Sequence, residues 1–219
     1  MSLEMQNQIL LKYIEDQNLK EVILPEGIRE IKEYAFCCCQ NLEKITLPAS
    51  LYRIESFAFY KCEKLSCIVM KNYIHHVSDI ALKNCPDLQK IICFETEIPI
   101  GLVFRKGDAF HMIAERSFIY TPDENKMLIW YMFQANPEDM KIMLYIGKNF
   151  EEMFRILIEM HQPEILKKFL KTGKFLLEKN IDDFIQYANQ KQRYEEQIIL
   201  TEYKFDTYSI QDIADKLKL

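Results

Sequence analysis

LKEVILPEGIREIKEYAFCCCQN (19–41), LEKITLPASLYRIESFAFYKCEK (42–64) and LSCIVMKNYIHHVSDIALKNCPD (65–87) are three versions of one phrase. A fourth opens with LQKIICF at Leu88. The leading leucines, Leu19, Leu42, Leu65 and Leu88, keep a constant step of 23. A fixed period of this size signals a solenoid. Each copy begins L-x-x-[VI]-x-[LM], with Cys93 closing the motif in the fourth. The final spacing of two is strand-like. Pro25 and Pro48 end their strands, because proline has no amide hydrogen to give a sheet ladder. Further apolar positions follow at Ile28 and Ile31, Leu51 and Ile54, Ile74 and Val77. The chain then returns through Tyr34-Ala35-Phe36, Phe57-Ala58-Phe59 and Ile80-Ala81-Leu82, and Cys39, Cys62 or Cys85 closes each copy.

One copy cannot bury these side chains alone. Stacked copies can, with equivalent residues lying above one another and strands about 4.8 Å apart in a parallel sheet. The expected structural ladder is Leu19, Leu42, Leu65, Leu88, Phe36, Phe59, Cys39, Cys62 and Cys85. The string I-x-L-P-x-[GS]-[IL]-x-x-I-x-x-x-A-F-x-x-C, followed by copies one and two, resembles the BspA-like leucine-rich repeats of bacteria. Copy three departs from it: Met70-Lys71-Asn72-Tyr73 replaces the Leu-Pro-x-Gly turn and Leu82 replaces the phenylalanine. The resemblance implies a ligand-binding or adhesive scaffold without chemistry of its own.

The remaining chain divides around this block. Residues 1–18 are expected to cap it, with Ile9–Ile14 as a strand or, alternatively, a helix; an open solenoid end exposes both core and sheet edge. Residues 19–94 are the repeats, and 95–122 a junction punctuated by Pro99 and Gly101. From Asp123 to 219 the apolar period becomes helical. Three helical pairs are expected: 123–134 with 137–146, 150–160 with 163–172, and 181–189 with 192–203. A last helix is expected over 209–217. Pro137 and Pro163 suit helix starts and Gly147 and Gly173 helix ends. Residues 180–204 resemble a degenerate ankyrin-type unit lacking the T-P-L-H turn. The fold class is therefore an α+β repeat protein: a short leucine-rich-repeat solenoid with parallel strands, followed by an α-helical ankyrin-like stack.

The chain of 219 residues has a net charge of −5, and neither half is basic enough to suggest nucleic acid. No apolar run is long enough to span a membrane. Seven cysteines without paired spacing, and no signal peptide at the start, favour free thiols in the cytoplasm. An export signal lying upstream would move the protein to the cell surface, where the family often works.

Candidates for chemistry are sparse. His75 and His76 fall in a weak turn, and His111 and His161 stand alone. None has the partner spacing of a metal site, so no metal and no cofactor is expected. Glu151-Glu152, Asp182-Asp183 and Glu195-Glu196 sit where acids complement helix starts. Lys167, Lys168, Lys171, Lys174 and Lys179 read as a solvated face, and Trp130 with its neighbours as core. With five glycines and no phosphate-binding motif, no catalytic residue is assigned and the protein is not expected to be an enzyme.

The best binding candidate is the outward face of the strands: Glu21, Ile23, Lys44, Thr46, Cys67, Val69, Lys90 and Ile92. It is too apolar for an ordinary solvated face. Either a protein partner binds there, or the helical half folds over it. The expected function is a non-catalytic protein–protein interaction scaffold, with a cell-surface adhesin as the alternative reading and an enzyme as a remote one.

Overall fold

The computed structural model describes residues 2–16, 18–101, 106–118 and 123–209. They form two compact units, divided between Asn136 and Pro137.

The first unit enters through a hairpin of β1 (Ser2–Gln6) and β2 (Ile9–Ile14). It then lays down β3 (Glu21–Ile23), β4 (Glu30–Ile31), β5 (Lys44–Leu47), β6 (Arg53–Ile54), β7 (Cys67–Met70), β8 (His76–Val77), β9 (Lys90–Cys93) and β10 (Thr96–Pro99). Each turn of the chain gives one strand to each of two sheets, ordered β1-β2-β4-β6-β8 and β10-β9-β7-β5-β3. The 23-residue step appears directly as register: Val22 faces Ile45, Ile45 faces Ile68 and Ile68 faces Ile91, all in parallel pairs. The expected strands from 21 to 93 are thus present and parallel. The apolar pairs after each first strand turn out to contribute a second sheet, with Ile31, Ile54 and Val77 in register.

Between the sheets the ladder is buried. Leu42, Leu65, Leu88, Phe36, Phe59 and Cys62 are fully inaccessible, and Cys39 and Cys85 nearly so. Leu19 differs: it is half-exposed. It begins its column, so a turn covers it on one side only. The rings of Phe36 and Phe59 stack with centroids 4.9 Å apart, and Tyr13 adds a third rung 5.0 Å from Phe36. The cysteines do more than fill space. Cys62 Sγ donates to the Phe36 carbonyl and Cys85 Sγ to the Phe59 carbonyl, each at 3.0 Å. Contact with Cys39 and Cys85, together with burial, holds the Cys62 thiol far above its ordinary pKa.

Several turns need left-handed backbone. Gly27 has φ +96°, which glycine adopts freely. Cys38, Lys61 and Asn84 occupy one repeat position with φ 58°, 55° and 63°, and none is glycine. There the amide of Cys38 donates to the Tyr60 carbonyl and that of Lys61 to the Lys83 carbonyl, tying each copy to the next.

Both ends of the solenoid are closed in ways the sequence did not announce. Ile9–Ile14 is a strand, as expected, but it pairs with β4 in the second sheet, Leu10 facing Ile31. It is therefore the second half of a repeat, shortened by two residues between Leu10 and Ile31. At the other end, β10 folds back on β9 through Phe94-Glu95, both left-handed. The helix α1 (Lys106–Glu115) then packs beside β8. Its close approach depends on Gly107, where a Cβ would lie 2.9 Å from the Asp79 carbonyl. The Ile74 amide donates to the Ala114 carbonyl at 2.9 Å, and the Val77 amide to the Glu115 carboxylate. His111 Nδ1 meets the Val77 carbonyl at 2.6 Å. An edge strand that would present bare amides and carbonyls is thus sealed by one helical turn. His111, which stands alone in the sequence, is brought by α1 against β8.

The helix α2 (Asp123–Ala135) packs on β10 and α1 and belongs to the first unit. The sequence reading groups it with the helical hairpins, because its helical period gives no hint of its neighbours. Trp130 and Phe133 are fully buried, with ring centroids 5.9 Å apart.

The second unit contains α3 (Met140–Lys148), α4 (Phe150–Glu159), α5 (Pro163–Leu170), α6 (Glu178–Gln190) and α7 (Tyr194–Lys204), then a π-helical turn, Phe205–Ser209. Asp139, rather than Pro137, starts α3: its side chain accepts from the amides of Lys141 and Ile142. Pro163 opens α5 as expected, and Gly173 follows that helix with φ +62°. Gly147 lies inside α3 instead of ending it. The hairpins α4–α5 and α6–α7 stack with α4 against α6 and α5 against α7. Phe154 anchors the unit among Phe150, Phe169 and Phe184, at 5.3, 5.8 and 4.6 Å. The expected helix over 209–217 lies, beyond Ser209, outside the described residues.

Candidate interaction face

The outward side chains of β3, β5, β7 and β9 form two straight rows. One runs Glu21, Lys44, Cys67, Lys90; the other runs Ile23, Thr46, Val69, Ile92. All the residues proposed from sequence for this face therefore meet on it, in register. Two more come from the antiparallel strand β10, where Pro99 sits opposite Lys90 and Glu97 opposite Ile92. These were missed because the reversal at Phe94-Glu95 lacks the Asn-Gly or Asp-Gly signal of a two-residue hairpin.

The rows differ chemically. The second is a β-branched ridge, with Ile23 64% exposed and Val69 and Ile92 partly so. The first is charged at both ends. Lys44 Nζ lies 3.1 Å from Glu21, and Lys90 Nζ lies 2.8 Å from Glu97, whose carboxylate raises the Lys90 pKa. Between the two lysines Cys67 is 5% exposed. Burial pushes its thiol up, and Lys90 and Lys44 draw it partly back. The opposite sheet is unlike this one. Its outward row is Glu30, Arg53 and His76, with Glu30 bound to Lys32 at 2.7 Å and Arg53 to Glu55 at 3.2 Å. Lys32 holds the Glu30 carboxyl below its ordinary range. One face is thus a charge mosaic and the other carries an apolar ridge.

The histidines are engaged. The His75 ring stacks on Tyr52 at 4.8 Å, and Glu115 lies 3.7 Å from His76 and 3.6 Å from His111. His161 Nδ1 is 2.9 Å from Glu196 Oε1. Glu196 stands with Glu195 in the first turn of α7, as expected of a helix-start acid, and is fully buried there. Among the described residues no three or more His, Cys, Asp or Glu side chains are placed to hold a metal ion. No described helix is long and apolar enough to cross a membrane. All seven cysteines are free thiols.

Comparison with curated proteins gives no match. Among solved structures the chain is similar to a leucine rich cell surface protein from Faecalibacterium prausnitzii A2-165, at 28% identity and a TM-score of 0.32. That likeness covers 35% of this chain and 20% of the other, so the chain spans about a fifth of that protein's length. The model of the BspA type leucine rich repeat region matches residues 9–136 in six copies. Its start coincides with the half repeat at Ile9, and its end with the close of the first compact unit. The chain belongs to the BspA-type leucine-rich repeat family.

Proposed function

We propose that the protein is a non-catalytic scaffold that binds a protein partner on the face formed by Glu21, Ile23, Lys44, Thr46, Val69, Lys90 and Ile92. The observation that carries this reading is the ridge Ile23–Thr46–Val69–Ile92, exposed at Ile23 and partly exposed along the rest, in register on one sheet and bordered by two ion pairs. An apolar strip with a polar rim is the anatomy of a protein-binding patch. Because the strands are fixed by the stack beneath them, the face is preorganised and loses little conformational freedom on binding.

The test is affinity capture from a lysate of the source organism, read by mass spectrometry, with Ile23→Glu/Val69→Lys as the comparison. A protein enriched by the parent chain and absent with the double variant, at an unchanged melting temperature, supports the face. Equal capture by both chains rejects it.

A further inference from the structure

Cys37 and Cys38 are adjacent thiols that the repeat does not require. In the next two copies the same positions hold Tyr60-Lys61 and Lys83-Asn84. Cys38 is exposed and Cys37 half-exposed, unlike the buried ladder cysteines. Their sulfurs lie 3.3 Å apart. The backbone beneath them is fixed: the Cys37 amide donates to the Tyr34 carbonyl at 3.0 Å and the Cys38 amide to the Tyr60 carbonyl at 2.8 Å. The left-handed Cys38 (φ 58°) completes the turn that holds the thiols together.

Three observations select the ligand. Adjacent α-carbons across a trans peptide are about 3.8 Å apart, below the roughly 4.4–6.8 Å of ordinary disulfides, so a bridge between these two would be strained and readily reduced. No third metal-ligating side chain joins the pair among the described residues, whereas zinc takes about four ligands. The two residues whose carbonyls hold these amides are aromatic, with Tyr34 48% exposed and its ring edge-on to Tyr60 at 6.5 Å. A centre with two exchangeable bonds and one apolar substituent fits this arrangement.

We propose that Cys37 and Cys38 form a chelating dithiol site for aryl-substituted trivalent arsenic, R–As(OH)2, with R against Tyr34 and Tyr60. Two As–O bonds break and two As–S bonds form. The two thiol protons leave with the two hydroxides as water; arsenic stays trivalent and sulfur is not oxidised. The condensation is charge-neutral, so it does not depend on a standing thiolate. This suits Cys37, whose thiol is pushed up to about 11 by burial and the neighbouring Cys38.

The test exposes the folded full chain to phenylarsonous acid in excess 2-mercaptoethanol, with intact-mass and peptide-mapping readouts. One phenylarsenic adduct per chain is expected, retained against the monothiol and stripped by 2,3-dimercaptopropanol. Cys37→Ser and Cys38→Ser should each weaken retention by about 100-fold or more, the loss of an intramolecular second bond. In the parent chain the arsenical should shield Cys37 and Cys38 together from iodoacetamide, a readout independent of how either variant folds. Absence of an adduct, equal retention by Cys38→Ser, or shielding of Cys39, Cys62 and Cys85 instead overturns the proposal.

Discussion

Phe59 and Phe154 are both fully buried phenylalanines, yet they are held in different ways. Phe59 is a rung: its ring stacks on the residue 23 positions earlier, and its carbonyl accepts from the cysteine 26 positions later. Phe154 is the centre of a cluster drawn from its own helix and two others, α5 and α6, at irregular spacings. A rung is supported by its neighbours along one axis, so damage to it passes up and down the column. A cluster shares its loss around a closed core. The solenoid should therefore answer to local damage as a line, and the helical unit as a body.

The sharpest way to break this comparison is truncation of each residue. Phe59→Ala and Phe154→Ala should each cost about 3–5 kcal/mol. Hydrogen exchange should localise the two effects differently. Phe59→Ala should speed exchange along 31–82 and leave 153–188 unchanged; Phe154→Ala should do the reverse. Equal acceleration of both regions by either variant would show one cooperative body and end the distinction.

The end of the line is tested at Gly107. Gly107→Val drives a side chain into the Asp79 carbonyl, and about 1–3 kcal/mol of stability should go as α1 lifts from β8. Exchange should rise first at Ile74 and Val77, whose amides α1 accepts. Unchanged protection there would mean that the edge is sealed by something other than the helix.

The buried thiols give a smaller, pH-dependent effect confined to the solenoid, since every cysteine lies within residues 37–93. Burial holds the Cys93 thiol up to about 12, against an ordinary 9.0. Between those values the unfolded chain ionises first, so rising pH removes stability, by about 1.4 kcal/mol per pH unit from this group. Below pH 9 it contributes a constant amount. Denaturation midpoints taken across this range should fall with pH, and Cys93→Ala should flatten the slope. An equal slope in the variant would assign alkaline loss elsewhere.

The smallest effect belongs to the surface of the line. Lys44→Ala removes an exposed ion pair with Glu21 and should shift stability by less than about 1 kcal/mol. A larger loss in urea titration would mean that the charged row helps hold the stack, rather than only bordering the ridge.

The same contrast explains what could be read from the sequence. Repetition makes the interior legible: Leu42, Ile45, Phe59 and Cys62 each recur at one step, and register follows directly. The outward face was legible too, because alternation in a strand places Ile23 and Val69 on one side once Val22 and Ile68 are inside. The ends were not. Leu10 belongs to the column of Ile31 but stands 21 residues before it, which breaks the period. Glu97 joins the face through a turn made by Phe94-Glu95, residues with no turn signature. The link from His111 and Glu115 to Val77 spans more than thirty residues and has no periodic counterpart. Whatever occurs once in a chain of repeats has no second copy to reveal it.

The left-handed residues at Cys38, Lys61 and Asn84 have a bearing on how such a chain grows. At Cys38 and Lys61 one copy is stitched to the next by main-chain atoms, and cysteine and lysine serve alike. A seam that ignores side-chain identity survives duplication or deletion of a whole copy within the gene, because the new neighbours meet through the same amide and carbonyl. Copy number is then free to drift, while the hairpin at one end and the helix at the other stay as fixed terminals. Lineages carrying this scaffold would be expected to differ in length by whole copies inserted between those terminals, and the ridge would lengthen by one residue with each.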